Sequence, residues 1–139
     1  MAVQRTYEDL KGRAAVVTGG AKGLGLTAAE GLLRAGMAVS IWDVDEAALG
    51  AASAELARAG LQVDFRVVDT TDLLAVETAY AEVEKALGPI DVFVNNAALK
   101  ENFMGRPEGV YGAWDAKFWE LDPARVRRLV EVNTQGTYH

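Results

Sequence analysis

Glycines in one short segment near the start of the chain are the first residues whose type and spacing could do chemistry. The segment Thr18-Gly19-Gly20-Ala21-Lys22-Gly23-Leu24-Gly25 lies between an apolar run and a stretch with helical spacing. Glycine lets the backbone turn tightly and approach a phosphate without an intervening Cβ. The N–H groups and dipole of the following helix favour negative charge. The pattern therefore predicts a pyrophosphate-binding loop formed by Gly19, Ala21, Lys22, Gly23, Leu24 and Gly25.

Two alternatives to this interpretation concern the same residues. A Walker A loop requires Gly-Lys-Ser/Thr at its end, whereas here Lys22 precedes Gly23, which argues against that motif. A plain glycine turn between a strand and a helix would have the same composition, so this alternative stays open.

A carboxylate, Asp43, ends the second apolar run of the chain. At that position it can accept hydrogen bonds from the hydroxyls of an adenosine ribose, and it would repel a 2′-phosphate, which favours NAD over NADP. Lys22 acts in the opposite direction, because a cation near the ribose could accept NADP; it could equally be a solvated surface lysine. Asp43 could instead cap the next helix.

Strand and helix signals alternate along the chain and place these residues in a framework. The predicted strands are 14–17, 37–42, 61–68 and 90–94, and the predicted helices are 24–34, 46–59 and 71–87, the last with Thr70 or Thr71 as its N-cap. This order implies right-handed crossovers in an α/β fold with a doubly wound parallel sheet of the Rossmann type. We predict one partial NAD(P)-binding domain over residues 1–139 with strand order 3-2-1-4.

The segment after the fourth strand is less regular. Residues 98–122 combine glycines with a proline and several aromatic residues, and a short extra helix is expected near 113–120. Asp122-Pro123 predicts an N-cap followed by proline in the first helical turn. The helix that it opens would carry Val126, Leu129, Val130 and Asn133 on one face. The aromatic side chains could contact substrate or a second subunit, or form a satellite core: Phe103, Trp114, Phe118 and Trp119.

Composition excludes several classes of function. The formal net charge is −6, which disfavours a nucleic-acid partner. The chain has no cysteine, and its single histidine is His139, which argues against a metal site and a Ser-His-Asp triad. The first ten residues lack the apolar segment of a signal peptide, and no apolar run approaches the roughly 18 residues of a membrane span. We therefore expect a cytoplasmic protein with no membrane partner.

Four motifs follow one another along the chain: Thr18-Gly19-x-x-x-Gly23-x-Gly25, Val68-Asp69-Thr70, Asn95-Asn96-Ala97-Ala98 and Val132-Asn133-Thr134-Gln135-Gly136. Together they resemble the motifs of the short-chain dehydrogenase/reductase family. The first is similar to the family's cofactor loop, and the second to a segment whose aspartate touches the adenine ring. The third resembles Asn-Asn-Ala-Gly, with Ala98 in place of glycine. The fourth resembles Val-Asn-x-x-Gly.

The resemblance implies an NAD(P)-dependent oxidoreductase that transfers hydride between nicotinamide and a small alcohol or ketone. It adds Asp69, Thr70, Asn95 and Ala97 to the cofactor-binding residues and makes Asn133 the one member of the catalytic set present. Each has a plainer interpretation: Asn95 and Asp69 as strand-end residues in turns, and Asn133 as an asparagine that bonds nearby backbone.

The family's serine and Tyr-x-x-x-Lys pair would come after Gly136, where only three residues remain. Tyr7 and Lys11 have the same spacing but precede the first strand, so we interpret them as coincidence. A fourth strand at a sheet edge would also leave backbone groups unpaired. We therefore expect a longer native chain. The resemblance further implies that the full-length form is a homo-oligomer, a dimer or a tetramer. A non-catalytic dinucleotide-binding module, or another Rossmann-type protein such as a methyltransferase or sugar-nucleotide epimerase, are the alternatives.

Overall fold

A parallel sheet is the centre of the computed structural model, which describes residues 7–99 and 122–139. Within those ranges its strands are β1 (Ala14–Thr18), β2 (Ala38–Asp43), β3 (Asp64–Val67) and β4 (Ile90–Val94). They pair in the order β3-β2-β1-β4, and every pairing is parallel. The predicted doubly wound sheet with order 3-2-1-4 is thus confirmed.

Helices connect the strands and cover both faces of the sheet. They are α1 (Gly23–Arg34), α2 (Glu46–Arg58), α3 (Leu73–Leu87) and α4 (Pro123–Val130), after which come a π-helical turn (Glu131–Gln135) and the short α5 (Gly136–Tyr138). A single 3₁₀ turn (Glu8–Leu10) precedes β1 in the described part of the chain. Parallel strands joined through helices need crossover connections, as the sequence predicted.

Side chains of β1 alternate between two apolar cores, because successive residues of a strand point to opposite faces. Ala15 and Val17 pack with residues of α1 and α2, such as Leu33 and Leu49. Val16 faces the other way, into a core formed with Trp42, Val68, Val76, Ala79 and Val83. All five residues of β1 are buried, as expected for a central parallel strand.

Aspartates begin three of the helices, and the predicted N-cap of α3 is corrected. Asp45 accepts a hydrogen bond from Ala48 N at 2.9 Å and caps α2. Asp72, rather than Thr70 or Thr71, caps α3. The reason is that the Thr71 hydroxyl donates to Asp69 Oδ1 at 2.7 Å and is committed to that bond. The prediction for Asp122 is confirmed, because it caps α4 with proline at the first helical position.

The predicted face of the last helix, with Val126, Leu129, Val130 and Asn133, is interrupted after Val130. The π-helical turn interrupts the α-helix after Val130, and a π turn adds a residue that rotates the next part of the helix about its axis. Val130 is 52% exposed, and Asn133 is exposed as well. The helix expected near 113–120, and the four aromatic residues of residues 103–119, lie outside the described residues.

Candidate functional site

A pocket of about 400 Å³ opens at the carboxyl ends of the strands. β1 lies at the centre of the sheet there, with the chain crossing to β2 on one side and β4 on the other, the position at which open α/β sheets bind ligands. The volume is within the range of small-molecule sites. Of the residues predicted to bind cofactor, the structure brings eight to its wall: Gly19, Lys22, Gly23, Leu24, Asp43, Asp69, Thr70 and Ala97.

The three glycines of the loop serve different purposes. Gly19 has φ +62°, and a Cβ there would lie 2.9 Å from the Cα of Ala97. A Cβ at Gly25 would overlap the carbonyl oxygen of Gly19, so the first turn of α1 packs directly on the loop. Gly23 has φ +54° and no heavy atom within 4 Å of its would-be Cβ among the described residues. Gly19 and Gly25 therefore allow close packing, whereas Gly23 leaves space in the pocket.

The amino terminus of α1 differs from those of α2, α3 and α4. Each of those three has an aspartate whose side chain accepts a first-turn N–H, whereas Lys22 at the N-cap of α1 forms no side-chain cap. Helix starts leave N–H groups without intrahelical partners, and a bound anion can accept from them. The helix that begins at the glycine loop therefore offers uncapped donors and a positive dipole end beside the pocket.

Asp43 is held by the glycine loop. Its Oδ2 accepts from the backbone N–H of Ala21 at 3.3 Å, and its Oδ1 accepts from that of Asp45 at 3.1 Å. The alternative in which Asp43 caps α2 is wrong, since Asp45 has that role. The Asp43 side chain lines the pocket between the loop and β2.

Lys22 forms a salt bridge with a neighbouring carboxylate. Its Nζ lies 2.7 Å from Asp45 Oδ2. The hydrogen bond from Lys22, followed by that from the Ala48 N–H, holds the pKa of Asp45 below its ordinary value. The ammonium group is thus partly neutralised within the protein, although its side chain remains mostly exposed.

Asn96 belongs to the third motif, and like Asn95 it was predicted to lie near the cofactor or, more plainly, to be a strand-end residue in a turn. The structure gives it a further role that the sequence analysis did not assign. Its Nδ2 donates to the carbonyl oxygens of Thr18 and Gly19, both at 3.0 Å. In return, the Thr18 hydroxyl accepts from the N–H groups of Asn96 and Ala97 at 3.1 and 3.0 Å. These bonds fix the chain after β4 against the chain after β1. The signal that could have found this role is the adjacency of two polar amides at a strand end.

Asn95, Ala21 and Gly25 are the predicted cofactor residues that do not line this pocket. Asn95 is exposed and lines a second hollow of about 230 Å³, together with Trp42 and Tyr80. Its cofactor contact stays a prediction. Ala21, within the loop, and Gly25, in the first turn of α1, are both buried.

Asn133 lies in the π-helical turn, and its side chain forms hydrogen bonds with both the N–H and the carbonyl group of Leu99. Its Oδ1 accepts from Leu99 N at 2.7 Å, and its Nδ2 donates to Leu99 O at 3.3 Å. Leu99 lines the pocket, so Asn133 fixes part of its rim. The backbone bonds match the plainer interpretation of this asparagine, and its place in a catalytic set stays a prediction.

Tyr7 and Lys11 are remote from this site. They line a separate hollow with Arg34 and Gly36, beside the carboxyl end of α1. The glycine loop is at the opposite end of the same helix. This placement agrees with the interpretation of the Tyr7–Lys11 spacing as coincidence.

Helix α4 and the turn after it contribute residues that the sequence analysis missed. Arg128 in α4 and Val132 in the π-helical turn both line the pocket. Arg128 Nη2 lies 3.0 Å from Asp69 Oδ2, and Nη1 lies 3.1 Å from Thr71 Oγ1. Burial raises the pKa of Asp69, but the hydrogen bonds from Thr71 and Arg128 outweigh it, and the pKa is lowered overall.

With this geometry established, comparison with known proteins identifies the family of the chain. The family model described as short chain dehydrogenase matches residues 13–139. The chain belongs to the short-chain dehydrogenase/reductase family. No helix in residues 7–99 and 122–139 combines the length and apolarity that a membrane span needs.

Individual members of the family are similar to this chain over most of its length. A 1-deoxy-11-beta-hydroxypentalenate dehydrogenase from Streptomyces exfoliatus is 40% identical over 124 residues, which cover 89% of this chain and 41% of that protein. The structure of an NAD⁺-bound xylitol dehydrogenase matches with a TM-score of 0.81 and 26% identity over 95% of this chain and 46% of its own. A metagenomic short-chain oxidoreductase in complex with NADP matches with a TM-score of 0.76 and 28% identity over 94% and 54%. The chain thus spans about two fifths of the length of the curated relative.

Proposed function

We propose that this chain forms the NAD-binding part of an oxidoreductase that transfers hydride between nicotinamide and a small alcohol or ketone. The observation that carries the proposal is the start of α1 at Gly23, which has no side-chain cap. It lies in the wall of the pocket that the Asp43 carboxylate also lines. An anion-binding helix end next to a hydroxyl-accepting carboxylate matches two consecutive groups of a dinucleotide, the pyrophosphate and the adenosine ribose.

The order in which the groups of a dinucleotide are bonded predicts which of them the rest of the pocket would hold. Beyond the ribose comes the adenine base, which would lie among the apolar residues Val44, Val68, Leu99 and Val132. Asp69 is the carboxylate of this part of the wall, and it can accept a hydrogen bond from the exocyclic amino group of adenine. Thr70 and Ala97 line the pocket on either side of the strand ends.

A preference for NAD over NADP rests on the charges around the ribose. The Asp43 carboxylate is fixed by two backbone N–H groups, so it cannot easily turn away from a 2′-phosphate. The cation that could attract such a phosphate, Lys22, is paired with Asp45. Family members with NAD⁺ and with NADP bound indicate that the fold accepts either cofactor, which makes these local charges the deciding feature.

When bound, the nicotinamide supplies the hydride chemistry. The residues of this chain bind and orient: the α1 N–H groups hold the pyrophosphate, and Asp43 holds the ribose. Asn133 fixes the backbone of Leu99 at the rim, and we propose it as this chain's contribution to the catalytic set. The substrate is proposed to be a small alcohol or ketone, on the resemblance of the chain to family dehydrogenases.

Calorimetric titration of the protein with NAD⁺ and NADP⁺ tests the cofactor assignment. Asp43→Asn should weaken NAD⁺ binding by about tenfold or more, because a hydrogen bond to a charged group contributes roughly 1.5–3 kcal/mol. The same variant should bind NADP⁺ more tightly, because the repulsion of the 2′-phosphate is removed. Asp72→Asn is the matched control, since this aspartate caps α3 outside the pocket. Unchanged affinity for both cofactors in Asp43→Asn would remove the ribose assignment.

The remaining features of the proposal are a cytoplasmic location, a homo-oligomeric assembly and a single cofactor domain over residues 1–139. Light scattering of the purified protein measures the assembly. Limited proteolysis measures the domain, since cleavage within residues 7–99 of the folded protein would contradict one folded unit. Turnover is measured by the absorbance of reduced nicotinamide with a panel of alcohols and ketones. Because the family's serine and Tyr-x-x-x-Lys pair would come after Gly136, turnover is expected only of the full-length protein. NAD⁺ binding by that protein without turnover of any of these compounds would contradict the oxidoreductase proposal.

A further inference from the structure

One contact at the pocket wall joins two segments that are distant in sequence. Arg128 in α4 donates to Asp69 Oδ2 and to Thr71 Oγ1 in the β3–α3 connection. Asp69 Oδ1 in turn accepts from both the N–H and the hydroxyl of Thr71, at 2.9 and 2.7 Å. Both oxygens of the carboxylate are therefore held, from two directions.

The acceptor positions of Asp69 are only partly used within the protein. A carboxylate has about four lone-pair positions. The two bonds from Thr71 use those of Oδ1, and the bond from Arg128 uses one of those of Oδ2. With respect to the described residues, one acceptor position on Oδ2 is left for a ligand, and Asp69 lines the pocket. A donor in the pocket can use this position, whereas a carbonyl oxygen there would meet negative charge.

Polar contacts position α4 over this part of the pocket. No residue of α4 is buried, so apolar packing within the described residues does little to fix the helix. The contacts of Arg128 with the β3–α3 connection and of Asn133 with Leu99 lie on either side of Val132, which lines the pocket. Arginine suits such a position because its planar fork can donate to two acceptors at once.

We propose that Arg128 is a positioning residue for adenine recognition: it fixes the orientation of the Asp69 carboxylate and so sets the preference for a base with an amino donor at position 6. This inference rests on the proposed function, because it requires a dinucleotide in the pocket. Arg128 acts through Asp69 and need not contact the base. Its loss should therefore lower the discrimination between bases more than it lowers the binding of the dinucleotide as a whole.

The test compares NAD⁺ with nicotinamide hypoxanthine dinucleotide, in which a carbonyl oxygen replaces the 6-amino group. Titration calorimetry gives the ratio of the two dissociation constants for the wild-type protein and for Arg128→Gln, Arg128→Lys and Asp69→Asn. The wild type should prefer NAD⁺. Arg128→Gln should reduce that preference by about three- to tenfold, the size of one or two hydrogen bonds. Arg128→Lys keeps the positive charge but lacks the planar guanidinium group, and it should lose less of the preference for NAD⁺.

Two further variants separate this role from general stabilisation. Arg125→Gln is the matched control, because Arg125 is on the same helix, pairs with Asp122 and lies outside the pocket wall. It should leave the ratio unchanged, even if thermal stability falls. In an Asp69→Asn background, Arg128→Gln should cause no additional change in the ratio, since the two residues act in series.

The outcomes distinguish this inference from the proposal on which it depends. If the wild type binds neither NAD⁺ nor NADP⁺, both are overturned. If the wild type binds NAD⁺ and its hypoxanthine analogue equally, the adenine role of Asp69 and Arg128 is overturned while the proposed function stands. An unchanged ratio in Arg128→Gln, or an equal change in Arg125→Gln, also overturns the role of Arg128.

Discussion

Replacing Gly25 by alanine should destabilise the protein, although alanine is the better helix former. The missing Cβ of Gly25 faces the carbonyl group of Gly19 and lies 2.5 Å from the Nδ2 atom of Asn96. That Nδ2 donates to the carbonyl oxygens of Thr18 and Gly19. A methyl group in this position must separate α1 from the loop and disrupt both hydrogen bonds.

Three contributions set the magnitude of this effect. Two neutral hydrogen bonds contribute about 1 kcal/mol each, and forcing a methyl group into a packed region costs about 1–3 kcal/mol. The higher helix propensity of alanine offsets about 1 kcal/mol of this. We expect Gly25→Ala to lower the free energy of unfolding by about 2–4 kcal/mol.

Gly31 provides the control within the same helix. It is exposed, and nothing among the described residues lies within 4 Å of its would-be Cβ. Gly31→Ala should therefore raise the free energy of unfolding by about 0.5–1 kcal/mol. Urea denaturation monitored by far-ultraviolet circular dichroism measures both variants, provided that the denaturant slope is unchanged. A Gly25→Ala protein as stable as the wild type would refute the close approach of α1 to the loop.

Three other residues of the site give predictions of their own. Gly23→Val should weaken NAD⁺ binding by more than about tenfold, because the side chain projects into the space kept open at this positive-φ position; equal affinity in a titration would contradict the phosphate-binding loop. Thr18→Val should destabilise the protein by about 1–3 kcal/mol in urea denaturation, because the N–H groups of Asn96 and Ala97 lose their acceptor. Thr18→Ser retains the hydroxyl and should lose less stability. The Asp69 carboxylate, whose pKa is lowered on folding from the ordinary 3.8, should stabilise the protein above that value and lose its contribution as the pH falls through the folded-state pKa. The stability difference between wild type and Asp69→Asn should therefore shrink on acidification; a difference that grows would reverse the sign of the argument.

Several features of the site were predictable because neighbouring residues in the sequence determine them. The alternation of apolar runs and helical spacing indicated a doubly wound parallel sheet, for which 3-2-1-4 is a usual strand order, and the glycine loop was recognised from its place between β1 and α1. Asp43 was placed correctly because the carboxyl end of β2 is fixed by the length of that strand. Asp122 and Pro123 began α4 as expected, since capping is a local interaction.

The sequence by itself therefore determined the sheet, the loop and the helix start at which we propose that a dinucleotide phosphate binds, whereas the tertiary structure decided which side chains complete the pocket. Asn96 contacts Thr18 across 78 positions of sequence, and Arg128 contacts Asp69 across 59. No periodicity links residues so far apart, because such a partner is chosen by how the strand ends and α4 pack in space. The same holds for the cap of α3: the Thr71 hydroxyl is bonded to Asp69, which leaves Asp72 to begin the helix.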